Sequence, residues 1–329
     1  MSEPPRATTL AVLVAVVVVA FQVLLVPLFA GPAAHLEPRD LPLAVAGPAP
    51  AAAQLAEQLR TARPGAFDVR VVTDADAAIR NREVYGAVVL GADGPSLHVA
   101  SAAGPAVATL LTQATAELGQ GRPVPVVDVV PTDPDDPRGA AFGAGFLPLA
   151  MTGMLAGVLT FLLVKRRPAR LVALGAFAVL GGLAGAAVQQ LWLGVLPGDF
   201  LATAGVLGLF GLAVAGPVAG LAAVLDRAGL ALGALLVFLI GNALSGVSSA
   251  AELLPQPWGA VGQALPIGAG STLLRSVAYF DGHGGGQALA VLSAYAIGGL
   301  VLVAAGRRGL GRPAAAVAAE PEREPALVG

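Results

Sequence analysis

The sequence predicts a polytopic α-helical membrane protein of six transmembrane helices in a one-plus-five layout, with an α/β domain inserted between helices 1 and 2. Three observations carry this. Six apolar stretches each approach the roughly 20 residues that a helix needs to cross the hydrocarbon core. Apolar residues make up 56% of the chain and charged residues only 12%, against about 25% charged in a soluble domain; the mean hydropathy is +0.77. A polar block, residues 31–140, separates the first stretch from the other five.

Residues 1–7 form a short N-terminal segment carrying Arg6. The first stretch, residues 8–30, begins like a signal peptide, with a basic residue before an apolar run. That run, Leu10 to Phe29, outlasts the about 7 to 15 residues of a signal core. Gly31-Pro32-Ala33 is a weak small-residue cleavage site, and the stretch reads as a retained anchor.

Within residues 31–140, Leu41–Ala46 is an apolar run ending in a Gly-Pro turn, Ala51–Ala62 has helical spacing, and Phe67–Val72 is β-branched. Asp74 suits the start of a helix over Ala75–Arg82, because its carboxylate can accept from the free amides of the first turn. Val84–Leu90 and Ser96–Ser101 form a hairpin around Gly91–Pro95, followed by a helix over Pro105–Leu118 and a strand over Val124–Val130. The order β-α-β-α-β-β-α-β predicts a mixed sheet with helices packed on it. Pro131–Arg138 is a polar linker.

The five-helix domain, residues 141–306, contains Ala141–Val164, Leu171–Val195, Leu201–Leu225, Gly229–Val247 and Gln287–Gly306. Small residues four apart at Gly153 and Gly157, Gly181 and Gly185, Gly216 and Gly220, and Gly229 and Gly233 allow close helix approach. Residues 307–329, rich in Ala, Pro and Glu, read as a disordered tail.

Basic residues in short loops set the orientation. Arg6, the group Lys165, Arg166, Arg167 and Arg170, then Arg227, and finally Arg307, Arg308 and Arg312 fall on one side. On the other side, residues 196–200 carry only Asp199, and residues 248–286 carry one basic residue, Arg275. This predicts a membrane protein with both termini cytoplasmic and residues 31–140 outside.

The net charge of -2, with no basic run interleaved with aromatics, argues against nucleic acid. With no cysteine, disulfides and thiolate metal sites are excluded. Asp74 and Asp76 form a D-x-D that could hold a metal and a sugar nucleotide, although helix capping accounts for the spacing. Asp133, Asp135 and Asp136 could ligate a divalent cation or simply solvate a linker. His35, His98 and His283 are scattered, and Ser245 lacks the flanking glycines of a nucleophile elbow. The single lysine, Lys165, follows Phe161-Leu162-Leu163-Val164 rather than glycines, so the chain has no phosphate-cradling loop of that type. Any ATP used must be hydrolysed by another chain. No catalytic, cofactor-binding or metal-ligating residue is assigned, and the chain does not read as an enzyme.

Polar residues inside a membrane are costly and mark paths or helix contacts. Gln22, Gln189, Gln190 and Asn242 are the candidates; no acidic or basic residue sits at mid-depth, which argues against a proton-coupled carrier. Lys165–Arg170 forms a basic elbow that could touch headgroups, a partner chain, or only anchor the helices. On the opposite side, residues 271–281 read as an amphipathic helix at or dipping into the interface. Leu273, Leu274, Val277 and Phe280 share one face, Arg275, Ser276 and Tyr279 lie on others, Ser271 or Thr272 caps it, and Gly282 stops it.

Leu265 to Gly282 reads L-P-I-G-x-G-x-x-L-L-R-S-x-x-Y-F-x-G. Together with the one-plus-five layout, this element resembles type-2 ABC transporter permeases and, more closely, their YhgE/Pip (phage-infection-protein) branch. Val84-Tyr85-Gly86-Ala87, Val99 to Pro105, Asp136 to Gly139 and Phe142 to Pro148 share the likeness, which spans most of residues 8–306. The resemblance implies half of a homodimeric or heterodimeric exporter, with a cytoplasmic ATPase docking on Lys165–Arg170 and on Ser2–Thr9. It also implies an unknown cargo. The alternative is a non-transporting surface protein whose outer domain serves as a receptor or an envelope-assembly contact.

Overall fold

A computed structural model describes residues 5–118 and 123–306; residues 2–4 of the expected docking segment and the whole 307–329 tail lie outside them. Among the described residues, six helices are long and apolar enough to cross a membrane. The first, α1 (Pro5–Ala34), is exposed along most of its apolar stretch, with Pro32 near its end buried. Such all-round apolarity suits a helix surrounded by lipid or by another chain.

Between α1 and the second apolar helix the chain builds a five-stranded sheet. Its elements are β1 (Leu41–Ala46), α2 (Ala49–Ala62), β2 (Phe67–Val72), α3 (Ala75–Arg80), β3 (Gly86–Gly91), β4 (Gly94–Val99), α4 (Pro105–Leu118) and β5 (Val126–Asp128). The strand order is β2-β1-β3-β4-β5, parallel throughout except for the β3–β4 hairpin. Strand alternation divides β1 between two cores. Leu41, Leu43 and Val45 face α2 and α4, meeting Ala52, Ala56, Val107 and Leu111; Ala44 and Ala46 face Ala75, Ala78 and Ile79 of α3. The predicted element order holds, with α3 ending two residues early and the hairpin tighter than expected. Gly91 pairs with Gly94, leaving a two-residue tip that the φ of 114° at Gly94 permits.

The remaining helices are α5 (Ala140–Leu163), α6 (Arg167–Ala186) with a π-helical continuation over Ala187–Trp192, and α7 (Phe200–Leu225). They are followed by α8 (Arg227–Gly233), running through a π-helical Ala234–Ile240 into α9 (Gly241–Leu244), then α10 (Trp258–Gln263), α11 (Pro266–Tyr279) and α12 (Gly286–Ala305). Helix α7 is the hub. Its apolar stretch is 83% buried, whereas those of the surrounding helices are 17–28% buried, and it contacts α5, α6, α8, α11 and α12.

Glycine makes these approaches possible, as expected where lipid offers no hydrophobic drive for helix association and van der Waals contact must supply it. A Cβ at Gly157 of α5 would lie 2.6 Å from the Ala215 carbonyl, and one at Gly220 would lie 2.7 Å from that of Gly299. Gly153 abuts Val214, Gly229 abuts the Leu221 carbonyl, and Gly233 abuts Val218. Three of the four predicted pairs therefore sit at α7 contacts. In the fourth, Gly185 meets Leu207, but Gly181 meets only Phe177 of its own helix; Gly182, one residue on, presses against the Ala204 carbonyl instead.

The expected interfacial helix over 271–281 differs in extent and setting. Helix α11 starts at Pro266, whose fixed φ suits a first helical position. Leu265 at its N-cap provides no side-chain cap, and Ser271 Oγ donates back to the Gly268 carbonyl at 2.8 Å. Arg275 and Ser276 are buried along with Leu273, Leu274 and Ala278, so no polar face is left in solvent. The helix is enclosed because Gly262 and Gly268 press backbone on backbone and Gly270 sits against the Phe210 ring.

Gly299 and Gly298 separate packing from propensity. A Cβ at Gly299 would collide with the Gly216 carbonyl carbon, while one at Gly298 meets nothing within 4 Å. Gly299→Ala is expected to destabilise the protein by about 1–3 kcal/mol in detergent denaturation. Gly298→Ala should be neutral or slightly stabilising; equal effects would refute the packing assignment.

Candidate functional site

The connection between α9 and α12, residues 245–285, joins the sheet to the helices. Ala250 and Leu253 complete the core on the α2/α4 side of the sheet, and Phe280 completes the core on the α3 side. Backbone bonds reinforce this grip: Arg39 N donates to the Glu252 carbonyl at 2.9 Å and Glu37 N to that of Leu253 at 3.2 Å. Where the two bodies meet lies a cleft of about 210 Å³, with Arg82, Tyr85, Glu252, Gln263, Thr272 and Arg275 in its wall.

Tyr85 is placed by its backbone N–H, which donates to the Pro42 carbonyl at 3.0 Å. Its hydroxyl donates to Glu252 Oε2 at 2.8 Å. Burial first, and then the Glu252 charge, push the phenol well above its ordinary range, so it stays a neutral donor. Arg82 follows α3 at a φ of 58°. Its Nη1 donates to the Thr272 carbonyl at 2.8 Å, and its guanidinium lies 5.5 Å from the Phe280 ring centre. Burial lowers its pKa.

Arg275 is only 6% exposed. Its Nη2 donates to the Val247 carbonyl at 2.6 Å, and its guanidinium stacks 4.4 Å from the Phe142 ring centre. Burial, followed by the nearby Arg82 charge, pushes its pKa down to about 10, which leaves it charged at neutral pH. Thr272 Oγ1 donates to Gln263 Oε1 at 2.7 Å, and Gln263 Nε2 to the Ser245 carbonyl at 3.2 Å, which ties α11 to α9. The arrangement offers guanidinium N–H groups, a neutral phenol and two hydrogen-bonded carboxylates, Glu252 in the wall and Glu83 at the rim. That inventory suits recognition of a polar ligand.

The residues singled out from sequence fall elsewhere, apart from those of α11. At the far end of the helices, Lys165 Nζ donates to the Leu162 carbonyl at 3.2 Å. Arg170 donates to the carbonyls of Val164 and Phe161 at 2.7 and 3.1 Å and stacks on the Phe161 ring. Arg167 donates to the Ala304 carbonyl at 3.3 Å. These side chains satisfy carbonyls at the ends of α5 and α12, where helices leave acceptors free; Lys165 and Arg166 are exposed.

Gln22 is exposed on α1. Gln189 is buried and bonds weakly to its own helix, and Gln190 Nε2 donates to the Pro197 carbonyl at 3.0 Å and to Thr203 Oγ1 at 3.2 Å. Asn242 is half-buried on α9. No hydrogen bond joins any two of these four.

On α11, Leu273 and Leu274 enter the helix core with Arg275, Val277 packs against it, and Tyr279 and Phe280 reach the sheet. Asp74 caps α3 as expected, accepting from Ala77 N at 2.9 Å, while Asp76 binds His98 Nδ1 at 2.6 Å. Asp136 is buried, accepting from the N–H groups of Ala140 at 2.8 Å and Phe142 at 2.9 Å. Among the described residues, no cluster of three or more His, Asp or Glu could hold a metal ion.

Sequence reasoning missed Arg82, Tyr85 and Glu252 as site residues. The one available signal was Glu252, an acidic residue between Ala250-Ala251 and Leu253-Leu254; Arg82, within Arg80-Asn81-Arg82-Glu83, gave none. No protein-family model matches the chain, and neither does any curated protein or solved structure.

Tyr85→Phe deletes a donor from a carboxylate in a half-enclosed cleft. A loss of about 1–3 kcal/mol in unfolding free energy is expected, measured by chemical denaturation of the purified protein. An unchanged midpoint would mean that Glu252 is served by solvent.

Proposed function

We propose that the chain is the permease subunit of an ABC-type exporter, with ATP hydrolysed by a separate cytoplasmic subunit. In this reading the chain crosses the bacterial plasma membrane six times, with both termini inside and the sheet domain outside. The observation that carries the reading is a mechanical link through α12. Its first turn, at Gln287 and Ala288, lines the cleft, and Arg167 of the basic elbow is bonded to its last turn at Ala304. A helix of 20 residues is a rod of about 30 Å. Displacement of the elbow by a docked ATPase therefore reaches the cleft on the opposite side.

Two further features support the reading. Lys165 and Arg166 project from the elbow and leave charge available to a partner. Helix α1, exposed along most of its apolar length and carrying the exposed Gln22, fits contact with a second permease subunit in a homodimer or heterodimer.

Tagged protein isolated from its native membrane in mild detergent is expected to retain an ATP-hydrolysing subunit. The paired substitution Lys165→Glu and Arg166→Glu should release that subunit while leaving the chain folded. Preparations without ATPase activity above background in several detergents would overturn the reading in favour of a receptor or envelope-assembly role.

A further inference from the structure

The cleft holds more guanidinium donors than its internal contacts use. Arg82 and Arg275 each spend one nitrogen on a backbone carbonyl, and neither forms an ion pair among the described residues. The remaining guanidinium nitrogens have no acceptor, yet none is sealed away unsatisfied, so they keep contact with the open space of the cleft. Two carboxylates share the lining with the two guanidiniums, and neither is ion-paired to them: Glu252 is committed to the Tyr85 hydroxyl. Glu83 on the rim is exposed and accepts from Asn81.

The first turn of α12 borders the same space through Gln287 and Ala288. The leading N–H groups of a helix have no intrahelical acceptor, and its dipole favours an anion there. Two guanidinium forks beside such a turn match the several acceptor oxygens of a phosphate better than the two of a carboxylate. The volume of about 210 Å³ is below the about 300–1,000 Å³ of sites that enclose a whole drug-sized ligand. It suits a headgroup whose remainder projects outward.

We propose that the cleft binds a phosphate-bearing anion through Arg82, Arg275 and the first turn of α12. The phosphate is supplied either by a lipid headgroup or by a soluble phosphate compound. The proposal rests on the transport reading only for the use made of the site. Binding is measured without ATPase or transport, so either can fail alone.

The test uses the full chain in maltoside micelles, which contain no phosphate. Its thermal unfolding midpoint is followed against inorganic phosphate in one arm and phosphatidic acid in the other. A saturable rise in the midpoint is expected. A response to inorganic phosphate assigns a soluble source, and a response to phosphatidic acid alone assigns a headgroup; both support the site. Arg82→Gln should weaken binding about 10- to 100-fold. Glu252→Gln keeps an acceptor for Tyr85 but removes the competing charge, and should strengthen binding several-fold, a gain that misfolding cannot mimic. No saturable response to either probe, or both variants shifting affinity in the same direction, overturns the proposal.

Discussion

The two-sided grip of residues 245–285 on the sheet is the constraint on which the rest of the structure depends. Leu253 enters the core on one face of the sheet and Phe280 the core on the other. Fully burying side chains of this size contributes about 1.5–3 kcal/mol each, so the two together hold the sheet with an energy comparable to much of a domain's net stability. The second connection is fixed as well. Asp136 caps the start of α5, and Phe142, whose N–H it accepts, presents its ring to Arg275. Both routes between sheet and helices thus converge on the walls of one cleft.

Below the cleft, α7 converts glycine into rigidity. Its contacts with α5, α6, α8 and α12 all bring backbone within reach of backbone or of Val side chains. Close approach maximises dispersion contacts, the main attraction left between helices once lipid replaces water. Polar side chains are kept for the helix ends: Gln190 closes the turn before α7, and Arg167 and Arg170 close the ends of α12 and α5. The basic elbow is therefore built into the bundle.

The legible part of this molecule is the part written in local periodicity. Six apolar runs match six long helices, and alternation with turn residues matches the succession of strands and helices along the chain, though not their order in the sheet. Burial on a sheet face or around a helix repeats along the chain. The setting of α11 was not legible. Leu273, Leu274, Val277 and Phe280 do share a face, but the opposite face is also buried, since Arg275 finds Val247 and Phe142 and Ser276 finds the His283 carbonyl. A polar residue with a non-local partner looks, in sequence, the same as one in solvent. The cleft was hidden for the same reason: Tyr85 and Glu252 lie on separate bodies and meet only through the fold. The shift from Gly181 to Gly182 shows the converse, since glycines three and four apart mark a stripe without choosing its register.

The choice of cation in the cleft follows from its surroundings. Arg82 and Arg275 each lay a guanidinium face near an aromatic ring while an edge nitrogen holds a carbonyl. A planar, weakly hydrated cation tolerates that environment; the compact, strongly hydrated ammonium of lysine does so at greater cost. The only lysine in the chain sits exposed on the elbow. The two arginines also belong to different bodies, Arg82 to the sheet and Arg275 to α11. An anion touching both is held best while the bodies are together, and by linkage its binding favours that closed arrangement. Any movement of α12 that parts the bodies must then lower affinity by the same coupling energy, so one pair of arginines is enough to connect occupancy of the cleft to the position of the helices.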